Sequence, residues 1–209
     1  MDPAIWLAFA AASSIMLAIP GPTVMMVASY AMSRGRETGW ATVPGVALGD
    51  LTAMTVSLAG AGAVLAASAD LFTILKLAGA AYLVWLGVQL WRSEPKLAAA
   101  PASNGRRDKA KMFANAYVVT ALNPKGIVFF VAFVPQFVDP ARPLLAQFAI
   151  LIATFIILGA INAAFWAVMA GTMRSRFSSP GALRLVNRLG GSAMIGAGLL
   201  TAMTRRAAS

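Results

Sequence analysis

Apolar residues fall into six blocks along this chain, at roughly 5–32, 40–66, 71–91, 112–138, 144–171 and 183–203, with the charges gathered mostly between them. About 20 helical residues cross the ~30 Å hydrocarbon core of a bilayer. The pattern therefore predicts a polytopic, all-α membrane protein with almost no extramembrane domain. The last block is the weakest, since Leu189–Met203 alone is short and Arg184 and Arg188 would have to snorkel. A five-span chain with a cytoplasmic C-terminus fits the charges equally well. Two blocks are also interrupted, by Pro20-Gly21-Pro22 inside Ile5–Met32 and by Asn123-Pro124-Lys125-Gly126 inside Met112–Val138. Paired interruptions in corresponding spans of two halves mark the binding site of a secondary transporter.

A weak internal repeat decides for six spans. The third span opens Lys76-Leu77-Ala78-Gly79-Ala80-Ala81 and the sixth Arg188-Leu189-Gly190-Gly191-Ser192-Ala193, both a base, a leucine and four small residues. At a similar separation the break at Pro22 matches the break at Pro124. Three is odd, so two three-span units must be inverted relative to each other. The expected organisation is one membrane domain: a first repeat at 1–91, a cytoplasmic linker at 92–111 and a second repeat at 112–209, the first helix of each repeat broken by proline.

Composition agrees, with 59% hydrophobic and 11% charged residues, where a soluble chain carries about a quarter charged. The net charge of +10 is spread around the spans rather than along one aromatic-rich stripe, which argues against nucleic acid. The loops after spans one, three and five hold Arg34, Arg36, Arg92, Lys96, Arg106, Arg107, Lys109, Lys111, Arg174, Arg176, Arg184 and Arg188. The other side holds only Lys76, Arg142, Arg205 and Arg206. By the positive-inside rule both termini face away from the cytoplasm. Trp6, Trp40, Trp91 and Phe137 near proposed span ends suit the interface. The N-terminus carries Asp2 in place of a basic n-region, and its apolar run continues past Pro22, so it reads as the first span rather than a signal peptide. The chain has no cysteine or histidine, which excludes disulfides, thiolate or imidazole metal sites and histidine-based catalysis. No cofactor is expected.

The breaks carry the chemistry. Backbone polar groups cannot stay unpaired in lipid, so irregular backbone at membrane depth faces protein or a wet cavity. Pro44 and Pro135 read as simple kinks, but two prolines around Gly21 cannot remain helical without losing bonds. Asn123-Pro124 reads as an N-cap and first residue of a new helix, and Gly21-Pro22 as a weaker version. Each break should open a half-helix of about 10–14 residues whose positive end points inward, an anion site by its free N–H groups and dipole. Lys125 adds a full charge. Asp50 lies deep in span two, where an ionisable group marks an ion or proton pathway. Together they could hold a zwitterion, carboxylate on the N–H groups and Lys125, ammonium on Asp50. The alternative is an Asp50–Lys125 ion pair that only orients helices. An aspartate able to lose its partner can also take up a proton, which suggests proton-coupled exchange. Pro20-Gly21-Pro22 brings no charge and reads as a hinge. Thr23 and Asn162 are further polar residues at depth. Gln89 and Tyr82 are read as interfacial, Asp70 and Lys76 as span ends, and Met25-Met26 and Phe129-Phe130 as packing. The small-residue spacings Ser192/Gly196 and Gly60/Ala64 favour close helix approach, within a protomer or across a homodimer.

At these residues the chain resembles the lysine-exporter (LysE/RhtB) family of bacterial amino-acid exporters. The resemblance rests on Pro20-Gly21-Pro22 with Ser33-Arg34-Gly35-Arg36, on Gly45…Gly49-Asp50, on Leu75-Lys76-Leu77-Ala78-Gly79-Ala80-Ala81-Tyr82-Leu83…Leu86-Gly87, and on Asn123-Pro124-Lys125…Phe129-Phe130…Phe133-Val134-Pro135-Gln136-Phe137. It covers most of residues 15–138; the C-terminal third matches only in character. The resemblance implies an inner-membrane protein of six helices in two inverted units that exports small amino acids or analogues, driven by proton entry. Superfamily relatives that move metal ions or electrons fit poorly, given the absence of His and Cys. Two other classes compete. A passive small-solute channel would need no proton coupling, and an intramembrane aspartyl protease would need two deep aspartates where only Asp50 is present.

Overall fold

A computed structural model describes residues 1–67, 69–92, 106–139, 141–172 and 180–203, and among these every regular element is helical. The segment 93–105, most of the expected linker, lies outside the described residues, as do Arg174, Arg176, Arg205 and Arg206 and the side chains of Asp70 and Lys76.

The first apolar block forms two helices, α1 (Pro3–Ala18) and α2 (Pro22–Arg34), bent by 54° at the break. Asp2 caps α1, its side chain accepting from the Ala4 N–H at 2.7 Å, and Gly35 ends α2 with a φ of 92°. A 3-10 turn at Arg36–Thr38 leads into α3 (Gly39–Ala67), followed by α4 (Ala69–Arg92). Then come α5 (Arg106–Ala121) and, after a two-residue break, α6 (Pro124–Val128). A π-helical turn, Phe129–Phe133, and a 3-10 turn, Val134–Phe137, extend α6. α7 (Leu144–Thr172) and α8 (Pro180–Met203) complete the chain. Helix α5 starts six residues before the apolar block at Met112 because Arg, Lys and Ala are good helix formers; hydropathy marks only the part that meets lipid.

By length and hydropathy, Arg36–Gly60, Lys109–Phe137 and Leu144–Thr172 can each cross a membrane, and the bent pair α1–α2 is long and apolar enough when its two helices are taken together. α4 contributes a shorter apolar stretch, Leu77–Gln89. Trp6, Trp40 and Trp91 are exposed, and so are Leu145, Ile157 and Ile161 along α7, as expected of a surface that faces lipid.

Close backbone approach organises the helix pairs. A Cβ added at Gly45 or Gly49 of α3 would lie 2.5 Å from the Phe113 carbonyl oxygen or 2.7 Å from Thr120 Cβ, both on α5. α4 lies against α8 in the same way, through Gly87, Gly191 and Gly198. Of the small-residue spacings read from sequence, Gly60 and Gly196 have nothing within 4 Å. The core divides into a bulky cluster with Phe9, Met54, Phe129, Phe130 and Phe155, and a small-residue cluster with Val27, Ala28, Val46, Ala116 and Ala163.

Candidate functional site

Both helix breaks meet at the border of these two clusters. Proline dictates which polar groups are freed there, because it has no N–H for the carbonyl four residues before it. Pro20 thus orphans the Met16 carbonyl and Pro22 that of Ala18. Donors from elsewhere in the chain reach the freed end of α1: the Lys125 ammonium donates to the carbonyls of Ile19 at 2.7 Å and Met16 at 3.1 Å. Asn162 Nδ2, from α7, donates to the Leu17 carbonyl at 3.1 Å. A cation at a helix C-terminus also meets the negative end of the dipole.

At the second break the Asn123 side chain accepts from the Lys125 main-chain N–H at 3.1 Å, the N-cap expected from Asn-Pro. Pro124 leaves the Thr120 carbonyl without its usual partner, and the Asn123 N–H takes it at 3.1 Å. Asn123 Nδ2 then reaches Thr23 Oγ1, and the Thr23 and Thr120 hydroxyls share a hydrogen bond, each at 3.2 Å. Thr23 is therefore the joint between the breaks. The N-terminus of α2 differs from that of α6 in having no side-chain cap, so the orphan N–H groups of its first turn remain open.

Asp50 and Val46, one helical turn apart on α3, enter from one side; Phe155, Gly159, Asn162 and Ala163 on one face of α7 enter from the other. They enclose a cavity of about 30 Å³, measured as the space open to water centres, enough for about two waters. Gly21, Thr23, Asp50, Asn123, Lys125 and Asn162 all line it. Pro20, Pro22 and Pro124 do not; they shape the backbone that does. Asp50 is 7% exposed and Lys125 8%, yet they form no ion pair: among the described residues the one salt bridge is Arg142–Asp139 at 3.2 Å. No hydrogen bond within the described residues reaches the Asp50 carboxylate, which lies on the cavity wall. A Cβ at Gly159 would sit 2.7 Å from Asp50 Oδ2, so only glycine leaves the carboxylate its place.

Sequence reasoning missed the carbonyls of Met16 and Ile19, and Gly159. Met16 was signalled, four residues before Pro20. Gly159 sits one turn before Asn162 on the same helix face, which only the packing of α7 makes meaningful. Gln89 and Tyr82 stand apart from the cavity. Phe129 and Phe130 pack as expected, Phe130 edge-on to Phe155 at 4.8 Å.

A family model described as LysE type translocator matches residues 14–205. An uncharacterized membrane protein of Vibrio cholerae is 34% identical over 205 residues, covering 98% of this chain and all of that protein. A homoserine/homoserine lactone efflux protein of Salmonella typhi is 31% identical over 202 residues, 97% of this chain and 98% of that one. A leucine efflux protein of an Enterobacter species is 31% identical over 121 residues, 58% and 57% of the two chains. No solved structure matches.

Proposed function

The chain belongs to the LysE type translocator family, and we propose that it is a secondary transporter exporting small amino acids or their analogues from the cytoplasm by proton antiport. It is a transporter, not an enzyme. The observation that carries the reading is the meeting of two broken helices around one cavity with a buried carboxylate and a buried ammonium on its walls. The cavity's polar groups are those a zwitterion needs: open N–H groups at the start of α2, an acceptor without a donor at Asp50, and a cation at Lys125. Efflux of homoserine and of leucine by relatives supports an amino acid as cargo.

In this reading the substrate contacts Gly21, Thr23, Asp50, Asn123, Lys125 and Asn162, while Pro20, Pro22 and Pro124 hold the breaks open. Asp50 carries the proton. The chain forms six spans in the bacterial inner membrane as two inverted units, 1–91 and 112–209, joined by 92–111, with both termini periplasmic. Support comes from the proline break in the first span of each unit and from the mutual packing of α4 and α8, the third span of each. The test is efflux of labelled homoserine and leucine from preloaded proteoliposomes, with and without an inward proton gradient. Gradient-driven efflux is expected; gradient-independent flux in both directions would instead identify a passive channel. Normal transport by both Asp50→Asn and Lys125→Ala would remove the site assignment.

A further inference from the structure

We propose that the carbonyl oxygens of Met16 and Ile19, with the Asp50 carboxylate across the cavity, form the subsite for a primary ammonium group, and that Lys125 is a tethered occupant which the substrate displaces. The inference rests on the export reading and goes beyond it by assigning two positions to Lys125.

The geometry of the Lys125 head group is the first argument. Its ammonium binds two main-chain oxygens at 2.7 and 3.1 Å, acceptors that no side-chain substitution can alter. A primary alkylammonium presents the same tetrahedral N–H donors as the α-ammonium of an amino acid. Anything bound by this pair through –NH3⁺ competes with Lys125 on equal chemical terms. The end of a half-helix at membrane depth is also where broken-helix transporters hold cations.

The second argument is Asp50. It is buried, lines the same cavity and has neither salt bridge nor hydrogen bond among the described residues. A buried carboxylate without a direct partner is costly, and Lys125, held by the end of α1, offsets that cost only through space, with no contact to Asp50. A free ammonium on the cavity side of Met16 and Ile19 meets both the carbonyls and the carboxylate. Once displaced, the Lys125 ammonium is released beside the first turn of α2, where a substrate carboxylate is expected. The lysine thus closes the site when no substrate is present and joins it when one is.

The test uses the full-length purified protein and simple amines. In Lys125→Ala the carbonyl pair is uncovered, so ethylammonium chloride should raise the melting temperature in proportion to the logarithm of its concentration above the dissociation constant. The expected rise is about 3–6 °C for each tenfold of amine above its dissociation constant. The wild type, its subsite filled by Lys125, should not shift. Tetramethylammonium, which has no N–H, should not act on either protein, and Asp50→Asn in the Lys125→Ala background should abolish the effect. An absent shift overturns the proposal, and an equal shift with sodium chloride overturns its ammonium specificity. If Lys125→Ala does not purify as a monodisperse protein, recovery in ethylammonium but not in tetramethylammonium buffers supports the subsite, and failure in both overturns it. The readout needs no transport. An amine shift without amino-acid efflux by the wild type keeps the subsite and assigns another primary amine as cargo. Efflux without an amine shift removes the subsite and leaves export standing.

Discussion

Gly159→Ala separates the function of the site from the stability of the fold. Its new methyl carbon would stand 2.7 Å from Asp50 Oδ2, about 0.7 Å inside ordinary contact at 3.4 Å, and its next neighbours, Asp50 Cγ and Leu17 Cδ2, lie at 3.9 Å. Only the carboxylate has to give way. Turning a short side chain off its rotamer costs about 0.5–1.5 kcal/mol, a fall of roughly 1–6 °C in melting temperature for a chain of this size. The functional loss should be larger. Misplacing a reacting or binding group by about 1 Å can cost a hundredfold, so a shift of about 0.7 Å should reduce export about tenfold or more. The assay pairs efflux of labelled substrate from proteoliposomes with thermal unfolding followed by tryptophan fluorescence. Efflux at the wild-type rate in a folded Gly159→Ala protein would refute the role given to the Asp50 position. Parallel collapse of stability and transport would refute the claim that the clash is confined to one side chain.

Three further outcomes follow from the same contacts. Asn162→Ala leaves the Leu17 carbonyl without its donor in a buried setting and should destabilise by about 1–3 kcal/mol, read as a lowered melting temperature; Asn162→Gln should not restore it if the 3.1 Å geometry matters. Asn123→Ala removes the cap of α6 and the bond to Thr23, at a cost of about 1–2 kcal/mol for the cap alone. Asn123→Asp keeps the cap but not the donor to Thr23, so its melting temperature should fall between the two. Gly49→Val drives a branched side chain into Thr120 and the Tyr117 carbonyl and should cost about 1–3 kcal/mol or more by overpacking. A folded Gly49→Val protein of wild-type melting temperature would refute the backbone contact between α3 and α5.

Much of this was legible in the sequence because membrane depth makes local rules strict. Asn123-Pro124 could hardly be anything but a cap and a helix start, and the structure has both. Pro20-Gly21-Pro22 had to break the first span, and the bend is 54°. Asp50 and Lys125 stood out because charge is rare at that depth. The partner of Lys125 was less legible. Opposite charge suggested Asp50, but the ammonium goes to main-chain carbonyls, a class of acceptor that has no letter in the sequence. Asking which N–H groups Pro20 and Pro22 remove points to Met16, but the Ile19 carbonyl, which Lys125 also takes, is freed by the end of α1 itself. The roles of Gly49 and Gly159 were hidden for another reason: an absent side chain has meaning only against the neighbour it admits.

The two breaks are each other's remedy, and the remedy is incomplete in a particular way. The carbonyls of Met16, Leu17 and Ile19 receive donors from Lys125 and Asn162, and the start of α6 is capped by Asn123. The buried Ser13 hydroxyl of α1 also lacks a partner among the described residues, but it does not line the cavity; what is left over there is one set of open donors, at the start of α2, and one acceptor, Asp50. Lipid tolerates neither, so both must be met by water or by a solute. The cavity they face, about 30 Å³, is a tenth of the ~300 Å³ at the lower end of ligand pockets. An amino acid can therefore reach these groups only if the walls move apart. The helices best placed to move are those already interrupted: α1 and α2 about Gly21, and the stretch after α6, where a π-helical turn at Phe129–Phe133 passes into a 3-10 turn at Val134–Phe137, a form that often marks a hinge. α3 and α7 are unbroken. Loading and opening are then one event, in which the hydrogen bonds of Lys125 to the end of α1 must break before the cavity can grow.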